Sequence, residues 1–232
     1  MTEIYFDGTF TSASEAVFSQ TFQYCESLAD LTPLRNIRIT VTDDNFTSFY
    51  NTARFRFNYG FLNTVVTDFS PLAHIFDNVT HDYIFEVGGE VFASTALKRF
   101  ELDWDWSKCT GYYRAFSDKK NIEYIQELDA TNVTSGYAPL NLFNLYSDTP
   151  NLTYFGGFKN QKLSIDNNNF LAKCPNLTRE CCLAFVNNLY DFVGNSEPPT
   201  SSQGKLKVHA NFLTALGDDI NIAIERGWTV TT

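Results

Sequence analysis

Pro150-Asn151-Leu152-Thr153 recurs 25 residues later as Pro175-Asn176-Leu177-Thr178. An apolar residue stands six positions before each leucine, Tyr146 before Leu152 and Leu171 before Leu177, so a longer unit recurs and not four letters alone. A spacing of six then three repeats in Phe22, Leu28 and Leu31, in Phe116, Ile122 and Ile125, and in Tyr146, Leu152 and Phe155. Phe92, Leu97 and Phe100 run five then three, and two registers compete at Phe61 and Leu62, which leaves 46–97 without a fixed register. A unit of this size cannot bury its own apolar side, so the units are predicted to stack and share one core. Phe22, Leu28, Leu31, Phe100, Ile122, Ile125, Leu152, Phe155 and Leu177 are the predicted core.

Each unit is predicted to begin with one or two helical turns, as at Phe46-Phe49, Tyr113-Phe116 and Leu142-Tyr146. A strand follows, as at Leu97-Lys98-Arg99-Phe100-Glu101-Leu102, where apolar residues alternate with polar ones. The predicted class is α/β: a short solenoid of stacked helix/turn-strand units over residues 1–178. Gly88-Gly89 between two apolar tetrapeptides predicts a β-hairpin inserted near 83–94. Leu102-Asp103-Trp104-Asp105-Trp106 predicts a strand with both tryptophans on one side, facing either core or ligand.

Residues 179–232 read differently. Cys182, Phe185, Val186 and Leu189 predict a helix from Glu180 to Phe192 stopped by Gly194. A turn-rich loop, a strand at Lys205 to His209, and a helix from Asp218-Asp219 to Gly227 follow. This stretch is predicted to be a helical cap on the open end of the array.

The unit F-x-x-C-x-x-L-x-x-L in Phe22 to Leu31, and Leu128-Asp129-Ala130-Thr131-Asn132-Val133-Thr134 with its echo Asn78-Val79-Thr80, resemble the BspA-like branch of leucine-rich repeat proteins. The resemblance covers roughly residues 12 to 178 and implies a non-enzymatic surface for adhesion or recognition. Such surfaces are carried by bacterial cell-surface proteins and by tail proteins of phages and prophages. It brings no catalytic residues with it.

Composition narrows the partners. A formal net charge of −10 and a pI near 4.7 oppose a nucleic-acid backbone or an anionic membrane, and no stretch is long and apolar enough for membrane insertion. MTEIYFDGTF lacks the basic start and apolar run of a secretory signal, which points to assembly in a cytoplasm, as for a virion protein. The five cysteines have no metal-ligand spacing and are expected to be reduced; Cys25 and Cys174 occupy one recurring position read as buried. No cofactor is expected, because His74, His81 and His209 lie far apart and neither glycine pair opens a phosphate-binding loop. Asp103 and Asp105 are strand patterning and not a glycosidase pair, whose carboxylates face each other across a cleft. Five Asn-x-Thr triplets, at Asn45, Asn78, Asn132, Asn151 and Asn176, are read as repeat consensus instead of glycan acceptors.

Aligning the strands sets outward residues in two rows: Asp30, Arg99, Tyr124 and Tyr154, then Thr32, Glu101, Gln126 and Gly156. Of these, Asp30, Arg99, Glu101, Tyr124, Gln126 and Tyr154 are the candidate binding residues, since aromatic rings and Arg dominate contact energy at interfaces. The expected function is attachment to a host cell-surface protein or glycan by a phage tail or virion-associated protein. The alternatives are a structural or decoration subunit that binds another virion protein, and a fragment of a secreted adhesin at the bacterial surface.

Overall fold

The structure, a computed structural model, describes residues 9–10, 15–39, 53–79, 82–112, 114–116, 121–133, 149–164 and 174–232. It is a mixed α/β chain with several small parallel sheets and a helical C-terminal region. The strands are β1 (Thr9–Phe10), β2 (Glu15–Ser19), β3 (Arg38–Ile39), β4 (Ala53–Asn58), β5 (Tyr83–Gly88), β6 (Arg99–Phe100), β7 (Tyr124–Ile125), β8 (Leu128–Asp129), β9 (Tyr154–Phe155), β10 (Phe158–Lys159), β11 (Lys205–Lys207) and β12 (Thr229–Thr231). The helices are α1 (Arg179–Asn188), α2 (Ala210–Leu216) and α3 (Asn221–Glu225).

Three-stranded sheets run β2-β4-β5 and β6-β7-β9, and two-stranded ones pair β1 with β3, β8 with β10 and β11 with β12, all in parallel. Parallel neighbours need a crossover of a dozen or more residues. Before Arg179, turns and loops make those crossovers among the described residues. Phe55 pairs with Phe85 and Leu128 with Phe158, each 30 residues on, while Phe100 pairs with Ile125 after 25. Other pairs span different lengths of chain, as where Glu15 pairs with Arg54 and Lys205 with Thr229. One apolar cluster extends from Leu31 to Trp228.

Seven of the nine predicted core residues are buried; Phe22 and Leu28 are half-buried and pack against the cluster. The phenylalanines go inside. Phe92, Phe100 and Phe116 hold ring centroids 4.6 to 5.5 Å apart.

The predicted helical turns at Phe46-Phe49 and Leu142-Tyr146 lie outside the described residues, as does Tyr113; Arg114 to Phe116 is a turn. Helical geometry before Arg179 consists of 3-10 turns at Thr32–Leu34, Ser70–Leu72 and Trp106–Lys108 among the described residues. Their cause is a device the apolar spacing does not reveal. Asp30, Asp68, Asp105 and Asp129 each accept a hydrogen bond from the backbone N–H two residues on, at 2.7 to 3.2 Å, and that residue is always Ser or Thr. Such an Asx turn closes the backbone tightly and competes with a longer helix. Pro33 and Pro71 fit there because the first turn of a helix leaves its N–H groups unbonded.

A second device ties units together. The carboxamides of Asn121, Asn132, Asn176 and Asn211 donate to the carbonyls of Thr95, Ser107, Pro150 and Pro175, at 2.5 to 3.0 Å. Asn132 and Asn176 thus bond carbonyls 25 and 26 residues earlier in the chain.

The hairpin expected near 83–94 does not form. β5 pairs in parallel with β4, and the segment after it turns away to bond Phe61 and Ala115 through the Val91 carbonyl and the Phe92 N–H. Gly-Gly serves a different purpose: Gly89 (φ 50°) occupies the left-handed corner where the chain leaves the sheet, as Gln20, Tyr59 and Arg114 do in other units. The Leu102-to-Trp106 strand is also absent. There the N–H groups of Trp104 and Trp106 bond carbonyls two residues back, at 2.9 Å, which curls the chain. Its alternation survives, with both tryptophans buried and both aspartates exposed.

Helix α1 starts at its N-cap Thr178, whose hydroxyl accepts from Cys181 N–H at 3.2 Å. It ends at Asn188 and not near Gly194, because Leu189 turns extended and bridges Gln161 in parallel. Arg226 closes that end, donating to the carbonyls of Asn187 and Leu189 at 2.6 and 2.8 Å. Asp218 and Asp219 lie in the first turn of the 3-10 helix Gly217–Ile220, which leads directly into α3, and Gly227 (φ 89°) follows the end of α3 as the helix stop expected there. Helix α2 itself is capped by the His209 ring, which accepts from Asn211 N–H at 3.1 Å.

Candidate functional site

Arg99, Tyr124 and Tyr154 stand in direct register across β6, β7 and β9. Neighbouring strands in a sheet are about 4.8 Å apart, so equal side chains at equal positions of a parallel ladder stack without further help. The Tyr124 and Tyr154 rings do so, with centroids 4.8 Å apart and planes at 7°. On the other face of Tyr124 lies the Arg99 guanidinium, 3.6 Å from the ring centroid. Both faces of Tyr124 are therefore covered, its hydroxyl interacts with Glu101 within the cluster, and what it offers outward is an edge.

Glu101 completes the cluster. Its carboxylate takes two hydrogen bonds from Arg99, at 2.6 and 3.0 Å, which fixes the guanidinium plane. Those bonds hold the Glu101 carboxyl below its ordinary pKa. Burial of the half-buried Tyr154, and next the neighbouring Tyr124, push the Tyr154 hydroxyl up. Directly before β6 and β7, Lys98 pairs with Glu123 at 3.0 Å. This second pair was not among the predicted residues, although its place directly before Arg99 and Tyr124 marks it.

The remaining candidates are engaged elsewhere. Asp30 lies in its Asx turn, not on a strand, and its bonding to Thr32 lowers its pKa; the sheet ends at β6, so Asp30 does not join the row. Thr32 lies in the following 3-10 turn. Gln126 acts like a piece of strand, its carboxamide accepting from Leu102 N–H at 2.7 Å and donating to Leu102 carbonyl at 3.0 Å. Gly156 is buried so tightly that a Cβ there would meet Glu127 N at 2.4 Å. The tryptophans offer no sugar platform, for the Trp104 and Trp106 N–H groups donate to the Leu72 and Leu102 carbonyls in the core.

Among the described residues, no group of three or more His, Cys, Asp or Glu could hold a metal ion, and no helix is long and apolar enough to cross a membrane. Cys109, Cys174, Cys181 and Cys182 are buried. Cys25 is exposed, contrary to its predicted burial, because the turn at Tyr24 (φ 60°) directs it outward. Cys181 has a particular position: its Sγ donates to the Phe155 carbonyl at 3.2 Å and accepts from the Phe155 N–H at 3.1 Å.

Burial raises the thiol pKa from 9.0 to about 12 at Cys109 and Cys182 and to about 11 at Cys181. In native protein, a thiol reagent is expected to modify Cys25 first and the other four only on unfolding, with five free thiols in denaturant. Disulfides found by that titration would contradict the packing. The pH dependence follows in sign: folding keeps these thiols protonated where unfolded ones ionise. Their contribution is complete below pH 9.0 and falls as pH rises toward about 12. A stability that climbs through that window in denaturant melts would contradict it.

Compared with protein-family models, with curated proteins and with solved structures, the chain matches none.

Proposed function

We propose that the chain is a short leucine-rich-repeat-like solenoid of the BspA-like kind that attaches, without catalysis, to a host cell-surface protein or glycan as part of a phage tail or virion. The observation that carries this reading is the Glu101–Arg99–Tyr124–Tyr154 stack. Three separate strands contribute to it, and its members are immobilised before any partner arrives. Binding to such a surface loses little further side-chain entropy, which is the chief advantage of preorganisation. Residues 179–232 act in this reading as the cap of the array.

The double variant Tyr124→Ala, Tyr154→Ala is expected to lose more than ~1 kcal/mol of binding per ring. The measurement is retention of labelled protein on intact bacterial cells, with the melting temperature as control. Since both rings are only half-buried, the melting temperature should fall slightly. Normal retention by the double variant would move the recognition face elsewhere. Unchanged cell binding with loss of binding to assembled particles would identify the partner as another virion protein.

A further inference from the structure

The side chains inside the first units do not close on one another. Leu34, Phe57, Phe61, Leu72, Ile75 and Trp104 each keep 7% of their surface, whereas Val66, Phe100 and Ile125 keep none. All six line one cavity of about 120 Å³. Phe57 comes from β4, Phe61 from the corner after it, and Leu34, Leu72 and Ile75 from the 3-10 turns opposite and the turn after them. Exposed Thr21 and half-buried Phe22 and Ile37 also line it and mark its solvent side.

The wall is almost entirely carbon. The indole N–H of Trp104 is already given to the Leu72 carbonyl at 2.9 Å, so it does not serve the cavity. A water molecule needs two to four polar partners to reside stably, and apolar cavities of roughly 150 Å³ stay dry and accept benzene. Aromatic edges on several sides favour a ring, which can pack edge-to-face on them. We infer that this cavity is a binding site for a free, uncharged molecule the size of a single aromatic ring. It lies apart from the Arg99–Tyr124–Tyr154 stack and does not depend on how that stack is read.

Toluene titrated into the 232-residue chain, with isoleucine δ1 methyls labelled for NMR, tests the site. Ring-current shifts are expected at Ile37 and Ile75, which line the cavity, and not at Ile122 or Ile125, which lie in the core elsewhere. The shifts should saturate, and the melting temperature should rise with toluene concentration. Phenol should bind more weakly, because its hydroxyl finds a partner only at the solvent side beside Thr21 and none among the carbon walls. Ile37→Phe places a ring in the space and should abolish the toluene shift at Ile75. Unmoved Ile37 and Ile75 signals, phenol bound as tightly as toluene, or an undiminished Ile75 shift in a folded Ile37→Phe protein would each overturn the assignment. If that variant does not fold, the wild-type methyl map with toluene and phenol decides alone.

Discussion

Phe100→Ala should lower the unfolding free energy by about 3–5 kcal/mol. Phe100 has no exposed surface, and its ring meets Phe92, Phe116, Phe69 and Trp106 at 4.6, 4.8, 6.1 and 6.1 Å. Phe69 and Phe116 come from the stretches of chain before and after Phe92 to Phe100 and are themselves buried, so neither can shift into the gap without leaving another. The loss combines the transfer free energy of a ring, the remaining cavity, and aromatic pairs worth about 0.5–1.5 kcal/mol each beyond their area. Typical stabilities of roughly 5–15 kcal/mol mean that a change of this size takes a large share. Urea melts of both proteins provide the measurement. A difference below about 1 kcal/mol would mean that neighbouring units do not share one core.

Deleting Arg179 to Thr232 should produce protein that is insoluble or associated on size-exclusion chromatography. Helix α1 lies over β9 and β10, with Phe185 6.0 Å from Phe155 and the Cys181 thiol bonded to the Phe155 backbone. Removing it would expose Phe155 and Phe158 together with the unpaired edge of β9, and exposed edges of this kind pair with other chains. Soluble, monomeric residues 1–178 with an intact spectrum would refute the capping role.

The sequence made some of this legible because a parallel ladder turns an offset in chain into a neighbour in space. Arg99, Tyr124 and Tyr154 were separated by unit lengths, and that sufficed to predict their row. Side-chain hydrogen bonds broke the same argument at Asp30 and Gln126, which the backbone of Thr32 and Leu102 recruits. Nothing in hydrophobic spacing reports such bonds. The aspartate turns escaped because Asp30, Asp68, Asp105 and Asp129 recur at unequal intervals, so no fixed period aligns them. Gly88-Gly89 carried a true signal for left-handed backbone, and only the direction of the chain after it distinguishes a corner from a hairpin. Helix α2 lacked any usual start signal, since a histidine seldom caps a helix.

The thiol of Cys181 has a consequence for how this chain could lengthen or shorten over generations. It occupies both backbone groups of Phe155 that a fourth strand would need. If the chain is the repeat array proposed above, a unit duplicated before Tyr154 would find a strand partner on each side. One inserted after Thr178 would meet a helix and a sulfur atom where it required a strand. On that reading a change in the number of units falls upstream of Tyr154, and the sheet β6-β7-β9 ends at Phe155 under the Cys181 thiol.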